Sequence, residues 1–450
     1  GRKAALSGMT TLPQVTVSSP TNIAVIKYWG KKDSKLNTPI NSSVSITINQ
    51  ADLRTVTTVT ASKDFAADRL WLNGVEEDVA GNKRVVKVFE QVRARARDYH
   101  DPKTGAKLVS AGEWATMKCH VVSENNFPTA AGLASSAAGY AALSFALAKL
   151  HGVVESYDGE LSTIARMGSG SACRSLHGGF VAWDMGSKKD GTDSKARQVA
   201  PDTHWPELQT LILVVSDRKK AVSSTAGMQT AVDTSPLLAH RAAAVVPERM
   251  VRMEAAYKAK DFAAFATLAM QDSNQFHATC LDTHPPIFYL NDVSRQVIQL
   301  VHAFNTAVGE VRLGYTFDAG PNAVLLVEKK HAAQALAAVL AYFPPESGAE
   351  ATYVNRASLS AEAAAVGPPA GLAAAYPLPP QAGSIKYVYH TDVGPGAAVL
   401  EGNALADAAG MPIKLASPDK PSAPAAPPRA ALAIGAVALA AAAAFLLRRK

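Results

Sequence analysis

The segment NNFPTAAGLASSAAGYAAL, residues 125–143, constrains this chain more than any other. It reads as a loop entering a buried helix made almost wholly of small residues. Gly132 and its small neighbours let the backbone approach an anion closely. Ser135 and Ser136 add hydroxyl donors where the helix should begin. A helix N-terminus also presents unpaired N–H groups and a positive dipole end, which suits a triphosphate. This is not the GxxxxGK[ST] loop, because no lysine follows the glycine. A tightly packed small-residue helix with no ligand accounts for the composition equally well, and the segment alone leaves both open.

Around it, strand and helix signals mix without strict alternation. Residues 15–60 alternate and are rich in Val, Ile and Thr, which predicts strands. Val85, Val88, Phe89 and Val92 fall at helical spacing within 82–99. LQTLILVVS at 208–216 predicts a buried strand, residues 240–277 and 291–305 helices, NAVLLVE at 322–328 a strand, and 331–342 an Ala-rich helix. The Ala/Pro/Gly-dense stretch 346–383 reads as a loop or insertion, and IKYVYHTDVG at 385–394 as a strand. The expected class is α+β. Expected domains are 9–200 and 201–400, then a Pro/Ala-rich linker at 401–429 and a helix at 430–447, with residues 1–8 set aside as a leader before Met9.

The tail AALAIGAVALAAAAAFLL, followed by Arg-Arg-Lys, would span about 27 Å as a helix, just enough for a bilayer core. The expectation is a cytoplasmic catalytic body tail-anchored to an intracellular membrane. The competing reading is an Ala-rich tail that never inserts. The formal charge of +7 is concentrated at the ends, at Arg2, Lys3, Arg429, Arg448, Arg449 and Lys450, and the body is close to neutral. With no basic stripe and no interleaved aromatics, nucleic-acid binding is excluded. Cys119, Cys173 and Cys280 are too widely spaced for a zinc site or disulfide framework and read as reduced, buried thiols. His151, His177, His277 and His302 have no ligand spacing and read as structural.

Three further segments carry chemistry. In SPTNIAVIKYWGKKD (19–33), Lys27 follows four apolar residues, so its ammonium belongs at the inner end of a strand, costly unless an anion lies nearby. In RMGSGSACRSLHGGFVAW (166–183), Ser169, Gly170 and Ser171 form a donor-rich turn. Arg174 then offers two parallel hydrogen bonds to a carboxylate or phosphate. In YTFDAGPNAVLL (315–326), Asp318 ends an apolar stretch before a Gly-Pro turn, as a general base or as an Asx-turn residue. A solvated basic edge and a surface arginine are the plain readings of the first two.

Taken together, NIAVIKYWGK, NNFPTAAGLASSAAG, GSGSACRSL and FDAGPNAV resemble, in the same order, the motifs of the mevalonate diphosphate decarboxylases of the GHMP kinase superfamily. MQDSNQFHATCLDT (270–283) and VPERM are similar as well. The likeness covers roughly 12–345, with a weaker return at 384–397; the 346–383 stretch and the tail depart from the family pattern. The resemblance implies a two-domain GHMP kinase-like fold, its N-terminal part like ribosomal protein S5 domain 2, with the site in a cleft. It implies a homodimer acting on ATP, magnesium and 5-diphosphomevalonate. It makes Asp318 the catalytic base, Arg174 the holder of the substrate carboxylate, Lys27 a neighbour of the transferred phosphoryl group, and Ser136 a phosphate and magnesium contact. Substrate binding falls to Tyr28, Trp29, Gly30, Lys31, Ser169, Gly170, Ser171, Ala172, Cys173 and Thr225. Arg84 joins them as the diphosphate-binding arginine, with spacing after LWLNG one residue longer and Lys83 its rival. Nucleotide binding falls to Asn126, Pro128, Ala131, Gly132, Leu133, Ser135 and Ser136. The alternatives are a sister enzyme, either a mevalonate 3-kinase or a phosphomevalonate decarboxylase, and a catalytically dead, membrane-tethered binding module.

Overall fold

Two Val/Thr-rich segments, Gln14–Pro20 and Arg54–Ser62, lie side by side within a six-stranded sheet. Its strand order is Ala398–Val399, Gln14–Pro20, Arg54–Ser62, Lys118–Asn125, Arg69–Leu72 and Val75–Glu77. Only the Lys118–Asn125/Arg69–Leu72 pair is parallel. The molecule is a computed structural model describing residues 12–101, 104–127, 135–216, 220–402 and 404–414. One face of this sheet is covered by helices Lys83–Arg93 and Ser135–Leu150. Val59, Ala61 and Val121 pack there against Val88, Phe89, Val92, Ala142 and Leu147. Ala137, Ala138, Ala141 and Ala142 are essentially inaccessible. The small-residue run thus packs tightly along most of its length, as its composition requires.

A second sheet runs Ala196–Ala200, Phe180–Trp183, Ser43–Thr47, Asn22–Ile26. A third runs Leu313–Phe317, Ala323–Glu328, Leu208–Val214, Tyr387–Asp392. The two share one core, in which Ile23, Val25, Ile46 and Phe180 meet Leu208, Ile212, Phe265 and Leu326. Each large side chain buried there contributes about 1.5–3 kcal/mol. Helices Val246–Ala259 and Phe262–Leu281 close this core. The second begins at Asp261, whose carboxylate accepts from Ala264 N at 3.0 Å. The shared core sets the end of Asn22–Ile26 beside the end of Leu313–Phe317, and this juxtaposition makes the site.

Two expectations change. Residues 346–383 are not merely a loop: they carry helix Ala357–Val366, which packs Leu359 and Ala363, with Leu372 and Tyr376, into the core around Leu336 and Val339. One helical turn separates Leu359 from Ala363, and alanine-rich composition hides so thin an apolar stripe. The expected linker also begins too early. Leu405, Ala406 and Met411 pack on Trp71 and Val122, and Gly410 O lies 3.2 Å from His120 Nδ1. Among the described residues no helix is long and apolar enough to cross a membrane. The leader, the rest of the linker and the 430–447 helix lie outside them.

Candidate functional site

Lys27 emerges where the Asn22–Ile26 strand stops, and Asp318 where Leu313–Phe317 stops. Lys27 Nζ donates to Asp318 Oδ1 at 2.7 Å. The lysine side chain is 3 % exposed and the aspartate 37 %, so the ammonium is enclosed while the carboxylate still opens to solvent. Asp318 therefore spends its carboxylate on Lys27 across the core, rather than serving only its local Gly-Pro turn. Burial lowers the proton affinity of Lys27, and the negative charges of Asp318 and Asp272 oppose that effect.

Arg174 lies on the 3₁₀ turn Gly170–Leu176 and is 2 % exposed. Its Nε donates to Asn22 Oδ1 at 3.2 Å and its Nη1 to Ser43 Oγ at 2.5 Å. The guanidinium lies 5.8 Å from the Trp183 ring centroid. All these partners are neutral, and Arg174 forms no ion pair among the described residues. A buried cation held by neutral groups is unfavourable until an anion joins it. Tyr28 packs its ring against Trp183, tilted by 59° with centroids 4.7 Å apart, and its hydroxyl has no partner among the described residues. Gly170 is required here: a Cβ would meet Tyr28 Cε1 and Trp183 Cη2 at 2.9 Å.

Ser136 is exposed in the first turn of Ser135–Leu150, with its Oγ 3.4 Å from Ser169 Oγ. Beside this helix start lies a cavity of about 230 Å³. Leu72, Val121 and Leu143 supply its apolar wall, and Thr57, Ser123 and Asn125 its polar groups. A larger cavity, about 670 Å³, is lined by Arg197, Met250, Glu254 and Lys258 and holds none of the expected site residues.

Arg84 is exposed in the first turn of Lys83–Arg93, near enough for its positive charge to help burial lower the proton affinity of Lys31. Its charge acts on Tyr28 and Tyr140 as well. Thr225 is exposed at the start of Ser224–Thr234. Several expected contacts turn elsewhere. Trp29 is 3 % exposed and packs edge-on to Phe276 and Tyr289 at 4.8 and 5.8 Å, because an apolar pocket formed by distant helices and the loop that carries Tyr289 claims its ring. Gly30, at φ +90°, is buried against Ile40. Ala172 and Cys173 point into the core; Cys173 Sγ donates to Gly170 O at 3.0 Å, and burial pushes the thiol up to about 12. Asn126 spends its side chain on Arg54 N and Asp52 O, at 2.8 and 3.0 Å. Ser135 and Ser171 are half-buried. Pro128, Ala131, Gly132 and Leu133 lie outside the described residues.

Sequence reasoning missed Asn22, Ser43 and Trp183 around Arg174, and the Asp272–Arg241–Arg249 cluster behind Lys27. Only their place in shared motifs could have flagged Asp272 and Arg249. His277, read as structural, is indeed enclosed at 6 % exposure, and burial drives its imidazole down to about 3. His151, tilted on Trp114 at 4.2 Å, is driven down to about 4. Both are neutral in the native state, whereas the unfolded chain takes up these protons below pH 6.5. Stability should therefore fall as pH drops from 6.5 to 5, by about 2 kcal/mol for each histidine. Urea midpoints measured across that window check this; a flat profile would mean that both imidazoles can protonate in the folded chain.

The paired strand ends bring together two buried cations, Lys27 and Arg174, and one partly exposed carboxylate, Asp318, an arrangement suited to an anion. Two family models match: the diphosphomevalonate decarboxylase-like N-terminal domain over residues 19–196, and the mevalonate 5-diphosphate decarboxylase C-terminal domain over 210–400. The human diphosphomevalonate decarboxylase is 52% identical over 394 residues, covering 87% of this chain and 94% of its own. The Trypanosoma brucei mevalonate diphosphate decarboxylase structure superposes with TM-score 0.78 at 38% identity, covering 86% of this chain and 98% of its own. A structure described as MDDEF in complex with MVAPP, AMPPCP and magnesium superposes with TM-score 0.66 at 31% identity, covering 87% and 100%. The chain belongs to the mevalonate diphosphate decarboxylase family.

Proposed function

We propose that this chain catalyses the ATP-dependent decarboxylation of (R)-5-diphosphomevalonate to isopentenyl diphosphate, ADP, phosphate and CO2, in the mevalonate route to isoprenoids and sterols. The observation that carries the reading is the Lys27–Asp318 pair beside a buried Arg174 with no ionic partner among the described residues, in a chain of this family. A 3-hydroxy acid loses CO2 slowly because hydroxide leaves poorly. Phosphorylating the tertiary hydroxyl removes that obstacle.

Asp318 takes the hydroxyl proton as the oxygen attacks the γ-phosphorus, and ADP leaves. A base so placed contributes typically 10²–10⁴-fold. Lys27 offsets charge on the phosphoryl group in flight. The C3–O bond then breaks, releasing phosphate, and the electrons of the C1–C2 bond form the C2–C3 double bond as CO2 departs. The leaving phosphate takes up the electron pair, so no external electron sink is required. Arg174 holds the carboxylate, while Tyr28, Lys31, Arg84 and the Ser169–Ser171 turn surround the diphosphate end. The base of the nucleotide is assigned to the cavity beside Ser136. Magnesium carried on nucleotide phosphates needs few protein oxygens, and the exposed Ser136 hydroxyl at the helix start fits one such place. Bound there, the ion would neutralise phosphate charge. The resemblance also carries the homodimer into this reading.

ADP and CO2 release, measured with mevalonate, its monophosphate and its diphosphate offered separately, tests the proposal. Equal amounts of both products with the diphosphate alone are expected. ADP without CO2 would indicate a kinase, and neither product a binding module.

A further inference from the structure

The strand ladder that carries Lys27 ends at Ile26, so the Lys27 peptide has no sheet partner. Buried peptide groups must be satisfied somewhere. The Lys27 N–H donates to Asp272 Oδ2 at 2.7 Å. Its carbonyl accepts from Arg241 Nη2 at 3.1 Å and from Asn41 Nδ2 at 3.0 Å. Arg241 also grips Asp272 with two parallel bonds, at 2.7 and 2.8 Å, and both side chains are fully buried. Arg249 adds a bond of 2.9 Å to Asp272 Oδ1.

The local helix is shaped for this contact. Arg241 opens a π-helical turn, Arg241–Val245, between Pro236–His240 and Val246–Ala259. Eight α-helical residues rotate by about 80° beyond two full turns, which would splay Arg241 and Arg249 apart. The extra residue in a π turn cuts that offset to about 20°. Both guanidiniums then reach one carboxylate. Such a buried ionic cluster is rarely more stabilising than apolar packing of the same volume, so stability alone does not account for it.

We propose that Asp272 and Arg241 are positioning residues that clamp both polar atoms of the Lys27 peptide and so fix the line along which its ammonium reaches Asp318. The proposal rests on the reading that Lys27 acts on the transferred phosphoryl group. The charged and titratable groups facing Lys27 are Asp318, Asp272, Arg174, Arg241 and His277. Asp272 is one of the two acids sustaining its charge, so neutralising Asp272 makes the ammonium easier to deprotonate.

The test compares Asp272→Asn, the charge-balanced Asp272→Asn/Arg241→Gln and Lys27→Met in the full chain, with kcat normalised to titrated active sites. Asp272→Asn strands the fully buried Arg241, so it is the variant at greater risk of not folding; the double variant removes that charge and leaves only Arg249, 15 % exposed and still bonded to Gln275 Oε1 at 3.0 Å. Both clamp variants are expected to lose kcat on the order of 10²-fold, with KM for either substrate changed by less than about threefold. The alkaline limb of the rate profile should move to lower pH in Asp272→Asn and by less in the double variant, which also loses the Arg241 charge beside Lys27. A folded double variant with the parent's kcat would overturn the clamp. Failure of both to fold would count for a purely structural cluster and against the proposal. Lys27→Met with undiminished turnover would instead overturn the role of Lys27 itself.

Discussion

Asp318→Asn should lower kcat by about 10²–10⁴-fold while leaving the fold intact, because asparagine keeps the shape of the carboxylate but cannot take a proton at neutral pH. The variant also leaves the Lys27 ammonium, 3 % exposed, without the negative charge it pairs with at 2.7 Å. Breaking a fully buried pair costs about 3–5 kcal/mol. Asp318 is more than a third exposed, so water can reach that end of the pair and the cost should stay well below that range. Lys27 already has its proton affinity lowered by burial, and losing the Asp318 charge lowers it further. The variant should therefore lose activity on two counts, the missing base and a less fully charged lysine, and the second should worsen as pH rises. Single-turnover formation of ADP, with thermal unfolding alongside, separates these effects from misfolding. If the phosphorylated intermediate still formed at the parent's rate, the proton acceptor would have to be sought elsewhere.

The residues of this pair were legible in sequence for a simple reason. Each terminates an apolar strand and is followed within three residues by glycine, so a charged group stands out where the pattern predicts burial. Arg174 was legible in the same way, following a run of small residues. The cluster behind them was not. Asp272, Arg241 and Arg249 sit within helical stretches, where a charge normally means a solvated face. Their complete or near-complete burial arises only because two helices, one interrupted by a π turn, converge on the end of a strand more than two hundred residues away. Helical spacing gives no warning of that turn. Trp29 shows the converse error. Its motif neighbours Lys27 and Tyr28 face Asp318 and Trp183, yet a large apolar ring follows the best apolar pocket, and that pocket is built from Phe276, Ile287 and Tyr289. For the fold, strongly alternating or continuously apolar segments declared themselves. The alanine-rich helix at Ala357–Val366 did not, because alanine is equally at home on a surface and in a thin core contact.

Arg174→Gln should abolish most turnover yet leave nucleotide binding unchanged. The guanidinium is held from one side by Asn22 and Ser43 and faces Trp183, with no carboxylate paired to it among the described residues. Replacing it therefore removes a buried charge instead of stranding one, so the melting temperature should hold or rise. The catalytic effect should be large because a carboxylate that is not aligned with the breaking C3–O bond cannot pass its electrons into the new double bond. Misplacement of about 1 Å can cost on the order of 10²-fold. Arg174 cannot act by gripping ever more tightly, since stabilising the carboxylate in the ground state opposes the loss of CO2. Its contribution is direction, which a planar two-pronged donor supplies and a single ammonium does not, so Arg174→Lys should recover little of the loss. Nucleotide affinity by titration calorimetry and kcat on the diphosphate substrate decide the matter together. Normal turnover would remove Arg174 from the site, and weakened nucleotide binding would move its role from the carboxylate to the phosphates.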